Sequence, residues 1–170
     1  KKLEYFRETS DKRFKGFVEQ LRVVSPKIPG KKVLCLAARL GEEVRAFREL
    51  GHTAAIGIDL NPGPDNEYVI DGYFHNIPFD DAMFDGVYCN CLDYAWEMRK
   101  ISAEAARILK PQGILVLDVP FVQPYKKRDY KQNVKKKHKY ESMLWDSLDD
   151  VLEKFDEFTK ACERFYTATH

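Results

Sequence analysis

The sequence has few glycines at the point where a nucleotide-binding turn would need them. Residues 31–52, KKVLCLAARLGEEVRAFRELGH, have the layout of such a turn, with a buried strand, a tight bend and an amphipathic helix. Dinucleotide-binding turns usually contain two or three glycines, whereas this bend contains Ala37, Ala38, Arg39 and one glycine, Gly41. A pyrophosphate requires close approach of the backbone, so these side chains argue against a dinucleotide-dependent dehydrogenase or epimerase.

The chain also lacks an excess of charge and a long hydrophobic run. Its net charge is +1 over 170 residues, which gives no overall electrostatic case for binding nucleic acid or membranes. The longest apolar runs have the length of strands, so we expect no transmembrane helix and no signal peptide. The predicted location is the cytoplasm.

Cysteine is sparse and does not form a recognisable framework. The four cysteines, Cys35, Cys89, Cys91 and Cys162, do not have the spacing of a disulfide-rich domain. Three of them lie in or beside predicted buried strands, where a free thiol packs as a small hydrophobic group. The C-x-C at 89–91 has no second Cys or His pair at zinc-site spacing, so we predict no metal site.

What the chain does contain is an alternation of helices and apolar strands. An amphipathic helix is predicted over 3–24, and strands without polar alternation follow at VLCLA, TAAIGIDL, EYVIDG, about 84–90 and GILVLDVPF. Helices are predicted between them over GEEVRAFREL and WEMRKISAEAARIL. Apolar strands that alternate with helices indicate a parallel sheet covered on both faces. We therefore predict a single doubly wound, mostly parallel α/β domain over 1–170.

Ligands of such folds bind at the carboxyl ends of the strands, where the strand order reverses. Residues 37–41, 59–61, 71–74 and 90–94 all fall at these ends. Asp59 closes the second strand about twenty residues after the first turn, where a carboxylate can accept both ribose hydroxyls of an adenosine-type cofactor. The alternative is that Asp59 only shapes the turn before NPGP.

Four segments in order resemble class I S-adenosylmethionine-dependent methyltransferases of the type-11-like group. They are VLCLAARLGEEV, AIGIDLNPG, HNIPFDDAMFDGVYCNCLDY and AARILKPQGILVLDV, which together span about residues 31–120. The first is similar to a variant of the family's opening motif, G-A-R-x-G-x-E, with Ala37 at the place of its first glycine. The resemblance implies a Rossmann-like fold with a seven-stranded sheet, which this chain would have in shortened form at its C-terminal end.

The resemblance also implies S-adenosyl-L-methionine as cofactor and assigns residues to it. The loop 37–41, including Ala38 and Gly41, would pass the methionine part, with Glu43 or Arg39 near its amino and carboxylate groups. Asp59 would hold the ribose and Leu60 would lie against adenine, and the backbone after the fourth strand would surround the sulfonium. The remaining assigned positions are Asn61, Asp71, Tyr73, Phe74, Asn90, Cys91 and Leu92.

The family's adenine-contacting Asp should fall at position 73, where this chain has Tyr73. Either Asp71 reaches in through a shifted loop, or the adenine amino group finds another acceptor. Methyl transfer needs positioning more than a dedicated catalytic group. Where the acceptor must lose a proton, the candidate bases are Asp93, Asp118 and His75, with Tyr94 beside them. Each of these can instead have a structural role.

The segment 125–140 carries eight Lys or Arg residues between Lys126 and Lys139, against one Asp. It follows the fifth strand, where this family often builds its acceptor pocket. Its lysines could contact nucleic acid, with interleaved tyrosines stacking on bases. It could also cover a small-molecule acceptor or be a solvated connector.

The predicted function is methyl transfer to an unidentified acceptor, either a small molecule or a macromolecule. The alternative is a catalytically idle cofactor-binding domain that acts as a partner or scaffold of another protein. An exposed face on the leading helix or an uncovered last strand would invite a dimer or a partner protein.

Overall fold

The computed structural model describes residues 2–119 and 147–158. Its centre is a sheet of five strands in which every neighbouring pair is parallel, in the order β3-β2-β1-β4-β5. This confirms the predicted doubly wound α/β class. The strands are β1 Val33–Leu36, β2 Ile56–Asp59, β3 Val69–Asp71, β4 Phe84–Cys89 and β5 Leu109–Leu117.

Helices cover both faces of the sheet. They are α1 Lys2–Leu21, α2 Glu42–Glu49, α3 Met98–Ile108 and α4 Leu148–Leu152. The leading helix ends three residues earlier than predicted, because a 3₁₀ turn over Ser25–Lys27 follows it. Pro26 lies in that turn and has no N–H with which to continue an α-helix.

The central strands are apolar without alternation because each face of the sheet is buried. Val33 and Cys35 of β1 pack with Phe47 and Tyr88 on the face covered by α1 and α2. The intervening Leu34 and Leu36 pack on the opposite face with residues of α3 and α4. Strand β1 is therefore buried on both sides, as a parallel sheet requires.

Helix α1 packs closely on α2 at one face of the sheet. The Arg45 guanidinium lies 4.6 Å from the ring centre of Phe14, and the Phe17 ring meets Tyr88 edge to face at 6.4 Å. This contact joins the leading helix to the same core as β1 and β4. A single domain over 1–170 stays a prediction, because residues 120–146, which include the basic segment 125–140, and residues 159–170 lie outside the described part of the chain.

Strand β5 begins earlier than predicted. Helix α3 ends at Ile108 and β5 starts at once at Leu109, with Pro111 inside the strand. The pairing with β4 shifts between Phe84 and Gly86, so residues 110–113 have no partner in that register. Pro111 lies in this irregular stretch, where its missing N–H breaks no ladder hydrogen bond.

Candidate functional site

The carboxyl ends of β1 and β4 adjoin at the centre of the sheet, where the strand order reverses. This is the crevice in which doubly wound folds bind ligands. The strand ends that border it carry the residues assigned from the sequence, which are Ala37, Ala38, Arg39, Gly41, Asp59, Leu60, Asn61, Asn90, Cys91 and Leu92. The turn that follows β3 adds Tyr73 and Phe74 at the same edge of the sheet.

The loop after β1 is strained, which the sequence analysis did not anticipate. An alanine is best tolerated at negative φ, but Ala37 has φ 53° and Arg39 has φ 47°. A non-glycine residue in this left-handed region is unfavourable by roughly 1–2 kcal/mol. Hydrogen bonds hold the loop there: the N–H of Ala38 donates to the carbonyl of Ile58 at 3.0 Å, and that of Gly41 to the carbonyl of Ala38 at 2.7 Å.

Asp59 ties the end of β2 to this loop. Its Oδ2 accepts a hydrogen bond from the backbone N–H of Arg39 at 3.0 Å, and its Oδ1 accepts one from the N–H of Asn61 at 2.9 Å. The side chain is half-buried, and each oxygen keeps lone-pair capacity for a further donor. Leu60 lies beside it with 66% of its surface exposed, which is unusual for a leucine at the end of a buried strand.

Asn66 is a further residue that holds the strained loop, and sequence reasoning missed it. Its Nδ2 donates to the carbonyls of Arg39 at 3.3 Å and Pro62 at 2.9 Å, while its Oδ1 accepts from the N–H groups of Tyr68 and Val69. The side chain therefore fastens the β2–β3 connection against the loop after β1. The only sequence signal was a lone Asn in a polar turn.

Glu43 is buried in the first turn of α2, with 2% of its surface exposed. Its Oε2 has no hydrogen-bond partner among the described residues. Burial is the main cause that raises the pKa of this carboxyl to about 8. Burial raises the pKa of Cys35 on β1 and of Tyr88 on β4, and the charge of Glu43 adds to both shifts, so the carboxyl lies near these two side chains.

An aromatic cluster follows β3. The ring of Tyr73 lies 4.8 Å from that of His75, and His75 stacks on Trp96 at 5.7 Å with an interplanar angle of 27°. His75 is buried beneath Trp96, and neither of its ring nitrogens has a hydrogen-bond partner in the part of the chain that the structure describes. Burial lowers the pKa of His75. Asp71 is exposed at the end of the edge strand β3 and pairs in register with Asp59.

In the turn after β4, two side chains are buried, so the backbone is more available to a ligand than these side chains are. Cys91 and Leu92 are buried, and Cys91 Sγ lies 3.7 Å from the carbonyl oxygen of Leu36 and 3.6 Å from Cys89 Sγ. Among the residues that the structure describes, no cluster of His, Cys, Asp or Glu is suited to hold a metal ion. Asn90 and Asp93 are half-buried at this turn, and Tyr94 is exposed.

Asp118 at the end of β5 is held by two side chains. Its Oδ2 accepts hydrogen bonds from the Tyr88 hydroxyl at 2.7 Å and from Gln20 Nε2 of α1 at 2.5 Å. Sequence reasoning identified neither donor. Gln20 lies 98 residues away in the chain, so only the packing of α1 over the sheet brings it here.

The comparisons with known proteins agree with this geometry. The family model described as "Methyltransferase domain" matches residues 34–117, from β1 to the end of β5. The chain therefore matches a methyltransferase family over just under half of its length. The match contains the loop after β1, Asp59, the turn after β3 and the turn after β4, which are the segments on which the sequence resemblance rested.

A sequence relative supports the same family over part of its length. The methyltransferase domain is 29% identical over 103 residues to 24-methylenesterol C-methyltransferase 2 of Arabidopsis thaliana, an alignment that covers 52% of this chain and 28% of the relative. The chain therefore spans less than a third of the curated relative.

Solved structures show the same fold. One is a Thermotoga maritima protein described as a possible histamine N-methyltransferase, with a TM-score of 0.67, 19% identity and coverage of 91% of this chain and 75% of that one. Another is a Haloferax volcanii methyltransferase in complex with the Trm112 methyltransferase activator, with a TM-score of 0.63, 24% identity and coverage of 89% and 74%. Over the part of this chain that the structure describes, no helix is long and apolar enough to cross a membrane.

The residues at the switch point of the methyltransferase domain suit S-adenosylmethionine. The buried Glu43 oxygen without a partner matches a cationic ligand group, and the Arg39 guanidinium belongs to the neighbouring loop. Asp59 supplies carboxylate oxygens at the end of β2 for neighbouring hydroxyls, with the exposed Leu60 next to it. The loop has side chains at residues 37–40, where a pyrophosphate-binding turn usually has glycines that let the backbone approach closely.

Proposed function

We propose that the chain binds S-adenosylmethionine in the crevice between β1 and β4 and transfers its methyl group to an acceptor. The observation that supports this most directly is the convergence of Glu43, Asp59 and the turn 90–92 at one edge of the sheet in a chain that matches this family. We also propose that the loop after β1 is the G-A-R-x-G-x-E variant of the family's opening motif, with Ala37 in place of its first glycine.

Each residue has a proposed role in binding. Glu43 faces the amino group of the methionine part, Asp59 accepts the ribose hydroxyls, and Leu60 lies against the adenine. The backbone of Asn90, Cys91 and Leu92 lines the methionine part, because the side chains of Cys91 and Leu92 are buried in the core. Asp71, Tyr73 and Phe74 belong to the adenine end, where Tyr73 stands in place of the family's carboxylate.

The bound cofactor would supply a methyl group on a positively charged sulfur, which an acceptor attacks in line. The chain's contribution is to position the acceptor and exclude water. Asp118 is the candidate proton acceptor with the firmest placement, because the Tyr88 hydroxyl and Gln20 fix its carboxylate. Asp93 and His75 remain weaker candidates.

We also propose that the chain acts on an unidentified methyl acceptor and can work with a partner protein. The structural relative from Haloferax volcanii was solved with an activator protein, which makes a partner protein reasonable here. Contact with nucleic acid through Lys126–Lys139 and a cytoplasmic location stay predictions from the sequence.

Isothermal titration calorimetry with S-adenosylhomocysteine tests the binding part. We expect micromolar affinity for the wild type, loss of binding for Asp59→Ala, and unchanged binding for Asp80→Ala, which removes an exposed carboxylate away from the crevice. No binding of S-adenosylhomocysteine or S-adenosylmethionine by the folded wild type would refute the proposal.

Transfer of a radiolabelled methyl group to pools of RNA, protein and metabolites tests the second part. Label in one pool identifies the acceptor class. Binding without transfer to any pool would favour the idle cofactor-binding alternative.

A further inference from the structure

Glu43 differs from its neighbour Glu42 in one decisive respect, although both carboxylates are buried in the first turn of α2. Glu42 Oε1 lies 3.8 Å from the Nε of Arg13, a cationic group of α1. Among the residues that the structure describes, Glu43 has no ion pair and its Oε2 accepts no hydrogen bond. Within the same part of the chain, Glu42 Oε1 and Arg13 Nε also make no hydrogen bond, so the two glutamates differ in the ion pair alone. Arg13 and Arg39 act on Glu43 through their charge, without a direct ion pair among the described residues.

Several charged and titratable groups lie close enough to Glu43 to change its pKa or to have their own pKa changed by it. They are Glu42 on its own helix, Arg13 on α1, Arg39 on the strained loop, and Cys35, Tyr88 and Cys91 on or after β1 and β4. The two arginines favour the charged form, but burial and Glu42 outweigh them, and the pKa of Glu43 rises to about 8. At pH 7 the free protein therefore holds this carboxyl mainly protonated.

An isolated carboxylate inside a protein is costly, whereas one that faces an ammonium group is stabilised by a charge-assisted hydrogen bond. The amino-acid end of S-adenosylmethionine carries such an ammonium group. The crevice between β1 and β4 places that end beside Glu43 if the proposed function holds. The ligand then brings a cation to hydrogen-bond distance of Glu43, whereas Arg13 and Arg39 act on it only through their charge.

We propose that binding of the cofactor's amino-acid end expels the proton of Glu43, so that cofactor binding is coupled to proton release. This inference rests on the proposed function. The O–H bond of the carboxyl group breaks and the proton passes to solvent, while the carboxylate accepts a hydrogen bond from the ligand's ammonium. The three rotatable bonds of the side chain let Oε2 turn from its buried position toward the ligand.

The coupling predicts a defined pH dependence of affinity. Below the pKa of Glu43, each unit of pH strengthens binding by up to about tenfold, because one proton must leave for each ligand bound. Above pH 8 the dependence levels off, since the carboxyl is then already ionised in the free protein. Ligands that lack the amino-acid end do not share this dependence.

Calorimetry in two buffers of different ionisation enthalpy, phosphate and Tris, measures the protons released. At pH 7 we expect S-adenosylhomocysteine to release about 0.9 proton per site, the protonated fraction for a pKa of about 8. Methylthioadenosine, which has the same nucleoside but no amino-acid end, should release none. This comparison uses the wild type and needs no variant.

Two neighbouring variants complete the test. Glu43→Gln should bind S-adenosylhomocysteine without proton release and with an affinity independent of pH from 6 to 8. Its binding of methylthioadenosine should be unchanged, which shows that the site is folded. The matched control, Glu42→Gln, alters an equally buried carboxyl in the adjacent position and should retain the proton release of the wild type.

The outcomes separate this inference from the proposed function. Binding of S-adenosylhomocysteine without proton release, or equal release in Glu43→Gln, overturns the coupling and leaves the proposed function intact. Equal release with methylthioadenosine also overturns it. Absence of binding to the wild type at every pH overturns both.

Discussion

The carboxylate of Asp59 holds the backbone N–H of Arg39 at 3.0 Å, and thereby joins the end of β2 to the loop after β1. The same side chain accepts the N–H of Asn61 at 2.9 Å. Asp59 thus fixes the backbone at the edge of the crevice, in addition to its proposed role of binding the ribose. A substitution at this position has a structural consequence that can be measured without any ligand.

We expect Asp59→Ala to lower the free energy of unfolding by about 1–3 kcal/mol, because two backbone donors lose their acceptor. Urea denaturation at pH 7 measures the loss. Asp80→Ala, which removes an exposed carboxylate, should change stability by less than about 0.5 kcal/mol. Equal stability of the two variants would show that Asp59 does not hold the loop.

Replacing Ala37 by glycine should stabilise the protein by about 1 kcal/mol. Ala37 has a positive φ of 53°, which glycine adopts without a Cβ penalty. Ala38→Gly is the matched control: Ala38 is fully buried and its φ is not in the left-handed region, so its loss should destabilise. The midpoints of urea denaturation distinguish the two variants, and a destabilised Ala37→Gly would contradict the strained geometry.

The stability of the free protein should depend on Glu43 in a pH-dependent way. In the unfolded chain a glutamate titrates near its ordinary value of 4.5, but in the fold its pKa is about 8. The unfolded state therefore binds fewer protons between these values, so the contribution of Glu43 to stability is greatest below pH 4.5 and falls as pH rises toward 8, by up to about 1.4 kcal/mol per unit.

Thermal unfolding of wild type and Glu43→Gln from pH 5 to 9 measures this contribution. The variant carries a neutral amide at every pH, so its advantage over the wild type should grow toward pH 8 and then stay constant. A difference in melting temperature that does not change with pH would show that Glu43 titrates normally in the fold.

His75→Leu should raise stability, because both ring nitrogens of the buried His75 lack hydrogen-bond partners among the described residues. Removing such groups while keeping an apolar side chain recovers part of the roughly 1–3 kcal/mol that each unsatisfied group costs. The gain should be larger below pH 6.5. The pKa of His75 is lowered in the fold, so on acidification the unfolded chain binds a proton before the folded protein does, and this destabilises the wild type but not the variant.

Thermal melts of His75→Leu at pH 5.5 and 7.5 test this prediction. Trp96→Ala serves as a companion variant, since it removes the ring stacked on His75 and admits water to the nitrogens. It should weaken the pH dependence without abolishing it. A His75→Leu protein less stable than the wild type would indicate that the imidazole has a structural partner.

The sequence predicted the fold class and the edge of the sheet that carries the site. Uninterrupted apolar strands such as VLCL require burial on both faces, and their alternation with helices leaves few arrangements besides a doubly wound parallel sheet. In such a sheet the residues after each strand meet at one edge. The positions of Asp59 and of the turn at 90–92 followed from this rule without knowledge of side-chain contacts.

Only the tertiary structure determined the backbone conformation and the bonding partners of individual residues. The positive φ of Ala37 depends on hydrogen bonds from strand β2, and the two partners of Asp118 come from α1 and β4. Glu42 and Glu43 are adjacent and identical in type, so no local pattern could tell which one pairs with Arg13. The sequence predicted which residues lie at the carboxyl ends of the strands, but only the packing of α1 against α2 showed that, among the described residues, Glu42 lies beside Arg13 while Glu43 has no ion pair.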